Sequence, residues 1–243
     1  MCERGIHFNS EMVRAVMEGR KVQTRRIMKV QPESHQFGLL RITDSTKRGD
    51  IGKYHWAESN ATGVHTRSAL FSCPFGAVGD RLWVRETWAD VNHEGCPAVA
   101  YRADGEVRDL NEDEGEEDDP NLEKYWFANW YPDLINGTEG RWTPSIHMPR
   151  WASRITLEIT GVRVERLNSM TESDALAEGC NGGHDSIPGY MYSATPHEHF
   201  HHVWQSIYGA DSWQANPWVW VIEFKRVANH TIGSSISSTS SEP

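Results

Sequence analysis

The chain predicts an α+β fold, and three observations carry that prediction. Ile155, Leu157 and Ile159 alternate with Thr156, Glu158 and Thr160, the period of two expected of a half-buried strand. Met12, Val13, Val16 and Met17 recur instead at helical spacing, as do Phe200, Val203, Trp204 and Ile207. The two kinds of pattern are interspersed along 243 residues with no internal repeat. That length allows one enlarged domain or two small ones, with a real core.

Gly5-Ile6-His7-Phe8 reads as a short first strand, and Ser10 is a good N-cap for the helix after it. Gly19 stands where that helix should end. The next seven residues, Arg20 to Arg26, hold one Lys, one Thr and three Arg. Cations suit the negative end of a helix dipole, so a solvated helix end is one account of this stretch and a functional motif the other. Residues 28–75 lack clear periodicity and read as a long insertion. Gly79-Asp80 then supplies a turn into a strand whose Leu82 and Val84 share one face. Glu86 falls on that face near the strand's end, either as a solvated carboxylate or as one turned into a pocket.

Cys96 to Arg102 predicts another strand, with Val99 and Tyr101 alternating with smaller residues. Residues 104–124 are acidic and contain Gly, the composition of a mobile surface loop. Tyr125, Trp126, Phe127, Trp130 and Tyr131 follow, and with Trp142 and Trp151 they either line a base-stacking pocket or pack the insertion onto the fold. After the long strand, Gly161 allows a bulge before Val162 and Val164. Thr171 caps a second helix with Asp174 three residues on, and that helix ends at Glu178-Gly179. A Glu in a last turn opposes the helix dipole, so Glu178 calls for another reason to be there. Residues 181–195 read as a loop, and Thr195-Pro196 opens a third helix. Asn216-Pro217 breaks the chain before a closing strand, Trp218 to Lys225, and a Ser-rich tail over 229–243 is expected to be disordered.

Composition narrows the function. The net charge of −10 is uneven: nine acids and one Arg lie between Glu106 and Asp119, whereas residues 1–48 carry ten Lys or Arg against five acids. A basic working end with an acidic insertion suits an anionic ligand, but a duplex DNA binder would present a continuous basic face. Cys2, Cys73, Cys96 and Cys180 show no CxxC pairing, so no zinc site and no disulfide framework is expected. His197 and His201 are spaced as a two-ligand pair, yet the H-E-x-x-H order is absent, and neither metal nor cofactor is expected. No apolar run approaches the ~20 residues of a membrane span and no secretory signal pattern opens the chain, so a cytoplasmic location is expected. Nothing in the pattern fixes an oligomeric state.

The spacing G-x-K-x-x-T-x-R, carried by Gly19, Lys21, Thr24 and Arg26, resembles the signature of the ASCH domains, a branch of the PUA-like superfamily. The usual pattern has Glu where Thr24 stands, and the Thr form is similar to bacterial members that hydrolyse the acetyl amide of N4-acetylcytidine. The leading helix, the Gly-Asp strand, the Glu158-Ile159-Thr160 strand, the Thr171 to Glu178 helix and the closing strand follow in the family's order, from Ile6 to Lys225. The chain also resembles larger ASCH proteins met in bacterial prophages. The resemblance implies a small mixed β-barrel with flanking helices, one domain over residues 1–228, and insertions at about 28–75, 89–150 and 181–212.

By position, the resemblance makes Lys21, Thr24 and Glu178 a catalytic triad. Thr24 would attack the acyl carbonyl, Lys21 would take its proton, and Glu178 would orient Lys21 or relay the proton. Arg26 or backbone N–H groups would stabilise the oxyanion, each donor contributing about 3 kcal/mol in the transition state. Arg85, Glu86 and Trp88 are further candidates for substrate contact. The expected partner is a modified nucleoside or single-stranded RNA. The alternatives are a non-catalytic reader of RNA or modified bases in the same cleft, and a ribonuclease.

Overall fold

The structure is a computed structural model and describes residues 1–34, 36–59, 65–110 and 129–227. Its strands are β1 (Glu3–His7), β2 (Gln23–Ile27), β3 (Gly38–Arg41), β4 (Tyr54–Ser59), β5 (His65–Arg67), β6 (Arg81–Arg85), β7 (Trp88–His93), β8 (Cys96–Tyr101), β9 (Val107–Asp109), β10 (Asn129–Trp130), β11 (Thr156–Arg166) and β12 (Trp218–Val227). The helices are α1 (Ser10–Met17), α2 (Tyr131–Asn136), α3 (Glu172–Ala177) and α4 (Pro196–Tyr208). The fold is mixed α+β, as the interspersed periodicities predict. None of the helices is long and apolar enough to cross a membrane, among the described residues.

The central sheet runs β1-β6-β11-β12-β2, with β1 parallel to β6 and the other pairs antiparallel. Strand β12 is apolar without a break over Trp218–Ile222 because both its faces are covered. Trp220, Ile222 and Phe224 join Ile6, Phe8, Leu82, Ile155 and Leu157 on one side, together with Val13 and Val16 of α1. Val219 and Val221 face Phe200, Val203 and Trp204 of α4 on the other. Each fully buried Leu or Ile here contributes about 1.5–3 kcal/mol by leaving water. The expected bulge at Gly161 is present as a shift of the β11–β12 register between Ile159 and Gly161.

The expected closed barrel is not what forms. The central sheet is open, with β1 and β2 at its two edges and no ladder between them. A side chain spans that seam instead: Arg26 Nη2 donates to the His7 carbonyl at 2.7 Å. The chain turns into α1 straight after Phe8, so β1 ends before it can pair along β2.

Three other expectations need correction. Helix α1 is capped by Asn9, whose side chain accepts from Met12 N at 2.8 Å, and Ser10 is already inside the helix. The 28–75 segment is part of the main core: β3, β4 and β5 form a sheet, and Met28 and Trp56 are buried among the central strands' side chains. The segment read as an acidic loop starts as structure, since Asp104 and Glu106 both bind Arg154 and β9 pairs with β8. Its remainder to residue 124, Tyr125 to Phe127 and the tail from 228 lie outside the described residues. Strands β7–β10 make a third sheet, so 89–150 holds its own ladder, while 181–212 holds α4.

Candidate functional site

The site is built where the ends of α1 and α3 meet. Helix α1 closes on the Ala15 carbonyl, which accepts from both Arg20 N and Lys21 N at 2.9 Å. Helix α3 starts with the predicted capping box, Thr171 and Asp174 satisfying each other's backbone N–H. Its end is stitched to the two residues just ahead of β2: Val22 N donates to the Ala177 carbonyl at 2.8 Å, and Lys21 and Glu178 form an antiparallel bridge. Gly179 makes the approach possible. Its φ is +91°, and a Cβ there would lie 2.8 Å from Ala15 Cβ and 3.2 Å from Lys21 Cβ.

That approach brings together two of the three triad candidates. Lys21 Nζ donates to Glu178 Oε2 at 2.7 Å and to the Glu178 carbonyl at 3.0 Å, with both side chains at most 2% exposed. The other carboxylate oxygen accepts from Arg25 Nη1 at 3.2 Å. Arg25 also binds Glu165 and, at 3.1 Å, Asp174. Burial opposes the Arg25 charge, but the Glu178, Glu165 and Asp174 carboxylates outweigh it and raise its pKa. Burial likewise opposes the Asp174 charge, yet the Thr171 donors, Gln23 and Arg25 hold that carboxyl well below the usual range. The awkward Glu178 at a helix C-terminus is thus held by two cations.

Thr24 belongs to the other side of β2. It pairs with Ile222, so its side chain shares the core face, while Arg25 lies on the α3 side. The Thr24 hydroxyl is buried and makes no hydrogen bond among the described residues. Lys21 gives its bonds to Glu178 and not to this hydroxyl.

Two cavities flank the group. The one lined by Lys21, Glu178, Met12 and Cys180 has a volume of about 20 Å³, enough for one water and too small for a pyrimidine. Burial pushes the Cys180 thiol up to about 12, which leaves it without thiolate chemistry. The second cavity, about 490 Å³, opens at the β1–β2 seam and is lined by His7, Phe8, Asn9, Arg26, Ser145 and Tyr208, among others. Met12 borders both cavities, and the Phe8 ring centroid is 5.5 Å from Lys21 Nζ and 5.6 Å from Arg26 Cζ. Phe8 and Met12 therefore form the partition between the pair and the cleft.

The other candidates are distributed unevenly. Arg26 faces the cleft; Arg85, Glu86 and Trp88 are not among its lining residues. Arg85 lies against the Trp83 ring and donates twice to the Met148 carbonyl. Glu86 is neither solvated nor in a pocket: it is 1% exposed and takes both of its oxygens to Arg154 at 2.8–2.9 Å. Trp88 is buried against Trp151, and Trp142 packs with Leu134 and Val91, so packing accounts for these rings. Ile207, expected on the apolar face of α4, is 44% exposed and borders the cleft. His197 and His201 present edges to Trp213, and His199 bonds Glu11 at 3.0 Å. Among the described residues no group of three or more His, Cys, Asp or Glu is placed to hold a metal.

Sequence reasoning missed Arg25's burial, and it missed His7, Phe8, Ser145 and Tyr208 as cleft residues. For Arg25 the signal was available: in a strand, neighbours point to opposite faces, so Thr24 and Arg25 had to part. Ser145 comes to His7 across 138 residues, and no spacing encodes that. No family model, curated protein or solved structure matches the chain.

Proposed function

We propose that this chain is a PUA-like hydrolase of the ASCH type, acting in the cytoplasm on the amide of an N4-acylated cytosine nucleoside. The observation that carries the proposal is the Lys21–Glu178 contact, formed between residues 157 apart, and the Thr24 hydroxyl, buried across β2 from it, has no partner among the described residues. Buried polar groups are ordinarily hydrogen-bonded, so an idle Thr24 hydroxyl calls for an explanation outside stability. In this reading Thr24 Oγ attacks the acyl carbonyl carbon. Lys21, having passed a proton to Glu178, accepts the hydroxyl proton and delivers it to the 4-amino nitrogen as the C–N bond breaks and the acyl-threonine ester forms. Water hydrolyses the acyl-threonine ester and regenerates the hydroxyl. Arg25 keeps Glu178 oriented, and the cleft is the port of entry. The Phe8–Met12 partition must shift to bring the acyl group to Thr24.

The test is incubation of the protein with N4-acetylcytidine while cytidine release is followed, in parallel with Lys21→Ala, Thr24→Ala and Glu178→Ala. Turnover by wild type that is lost in all three is expected. Absence of turnover removes the substrate, and turnover indifferent to the three changes removes the mechanism.

One observation favours a second reading, a non-catalytic binder of RNA or modified bases. The large cleft has aromatic walls and a cation but excludes all three triad candidates. Saturable binding of single-stranded RNA without product would select this reading.

A further inference from the structure

The cleft at the β1–β2 seam differs from the rest of this acidic chain. None of its lining residues is Asp or Glu, although the net charge is −10. Its cationic side is assembled around His7. Arg26 reaches the His7 carbonyl at 2.7 Å, and the His7 ring nitrogen Nδ1 lies 3.3 Å from Ser145 Oγ. Arg85 is His7's direct partner across the parallel β1–β6 ladder. Its side chain runs over Gly5, itself a cleft residue, with Cδ 3.1 Å from where a Cβ would stand. Neither guanidinium has a carboxylate partner among the described residues; each bonds only to a backbone carbonyl. Elsewhere the buried arginines behave differently, Arg25 and Arg154 each binding several carboxylates.

We infer that Arg26, His7 and Ser145 form a phosphate-binding subsite, with Arg85 adjoining it from outside the cleft lining, so that the cleft takes a pyrimidine nucleotide in preference to a free nucleoside. Planar guanidinium forks suit phosphate oxygens, and the imidazole and hydroxyl add neutral donors. Burial and the two guanidiniums lower the His7 pKa, as expected of an imidazole held beside cations that lack a counter-ion. Phe8, Phe75 and Tyr208 supply aromatic walls within a volume of about 490 Å³, ample for a nucleotide. The inference rests on the reading that this cleft receives the ligand. It is shared by the hydrolase and the binder.

Calorimetric titration of the full chain with cytidine 5′-monophosphate, cytidine, inorganic phosphate and a short oligocytidylate tests it. The monophosphate should bind at least about tenfold more tightly than cytidine, with a preference that shrinks as salt is added. Arg26→Gln should remove most of that preference, and Arg85→Gln, acting from beside the lining, a smaller part. Arg26→Lys, which keeps the charge, should recover part of it and so separates lost charge from lost folding. Inorganic phosphate should compete with the monophosphate and not with cytidine. Tighter binding of the oligonucleotide than of the monophosphate assigns the phosphate to an RNA chain, and the reverse order assigns it to a mononucleotide. Equal affinities for cytidine and its monophosphate in wild type, or full preference in Arg26→Gln, overturn the inference. These ligands carry no acyl group, so a failed turnover assay leaves the subsite standing. A failed phosphate preference leaves hydrolysis of a free nucleoside standing.

Discussion

Lys21 Nζ and Glu178 Oε2 lie 2.7 Å apart in a region almost closed to water, with Arg25 on the carboxylate's other oxygen. A buried ion pair is strongly destabilised when one partner is removed alone, because the other charge is left uncompensated. Lys21→Met should therefore lower the unfolding free energy by about 3–5 kcal/mol in urea denaturation. Lys21→Met/Glu178→Leu should recover a large part of that loss, since Arg25 retains Glu165 and Asp174. A double variant as unstable as the sum of the two singles would contradict the pairing.

Gly179 is constrained twice, by its φ of +91° and by Ala15 Cβ 2.8 Å from where its own Cβ would stand. Gly179→Ala should destabilise by at least about 1 kcal/mol. Ala15→Gly should offset part of the damage in the double variant, because it removes the atom being struck. A double-mutant cycle with a coupling near zero would show that the two turns do not abut.

Much of this architecture was legible in the sequence, and what was not has identifiable causes. The β11 alternation, the Gly161 bulge, the Thr171 capping box and the Thr195-Pro196 helix start are local signals, and all stand in the structure. Asn9 and Ser10 are both good caps, so a one-residue error there was within reach of either. The 28–75 segment hid its role because β3 is mostly exposed and its anchor, Trp56, is a single residue in a polar strand. Barrel closure was an expectation of resemblance, and the Arg26–His7 bond that spans the open seam is a tertiary contact with no local signature. Glu86 met Arg154 across 68 residues, beyond any motif spacing.

That Glu86–Arg154 pairing has its own consequence. Burial pushes the Glu86 carboxyl upward while Arg154 draws it back, and the guanidinium also lies 4.1 Å over the Tyr101 ring. Arg154→Met should cost about 3–5 kcal/mol in the same denaturation measurement, since it leaves Glu86 buried without its cation. Glu86→Gln should cost less, because Arg154 keeps Asp104 and Glu106. The opposite ranking would place Glu86 outside the structural network.

Asp90 gives a pH signature. Burial raises its carboxyl from 3.8 to about 6, and its Oδ1 has no hydrogen-bond partner among the described residues. A folded-state pKa above the unfolded one means that the ionised form destabilises the protein above about pH 6. The penalty is relieved as pH falls from there toward 4. Asp90→Asn should thus raise the melting temperature at pH 7.5 and lose most of that gain by pH 4.5. An equal gain at both pH values would exclude titration of Asp90 as its source.

The most direct measurement of the central claim is N4-acetylcytidine turnover by Thr24→Val, compared with its stability. Replacing an unpartnered buried hydroxyl by a methyl of similar shape should leave stability unchanged or raise it by up to ~1 kcal/mol. A protein that folds at least as well as wild type and no longer releases cytidine is the predicted result. Undiminished release of cytidine by that variant would contradict the account.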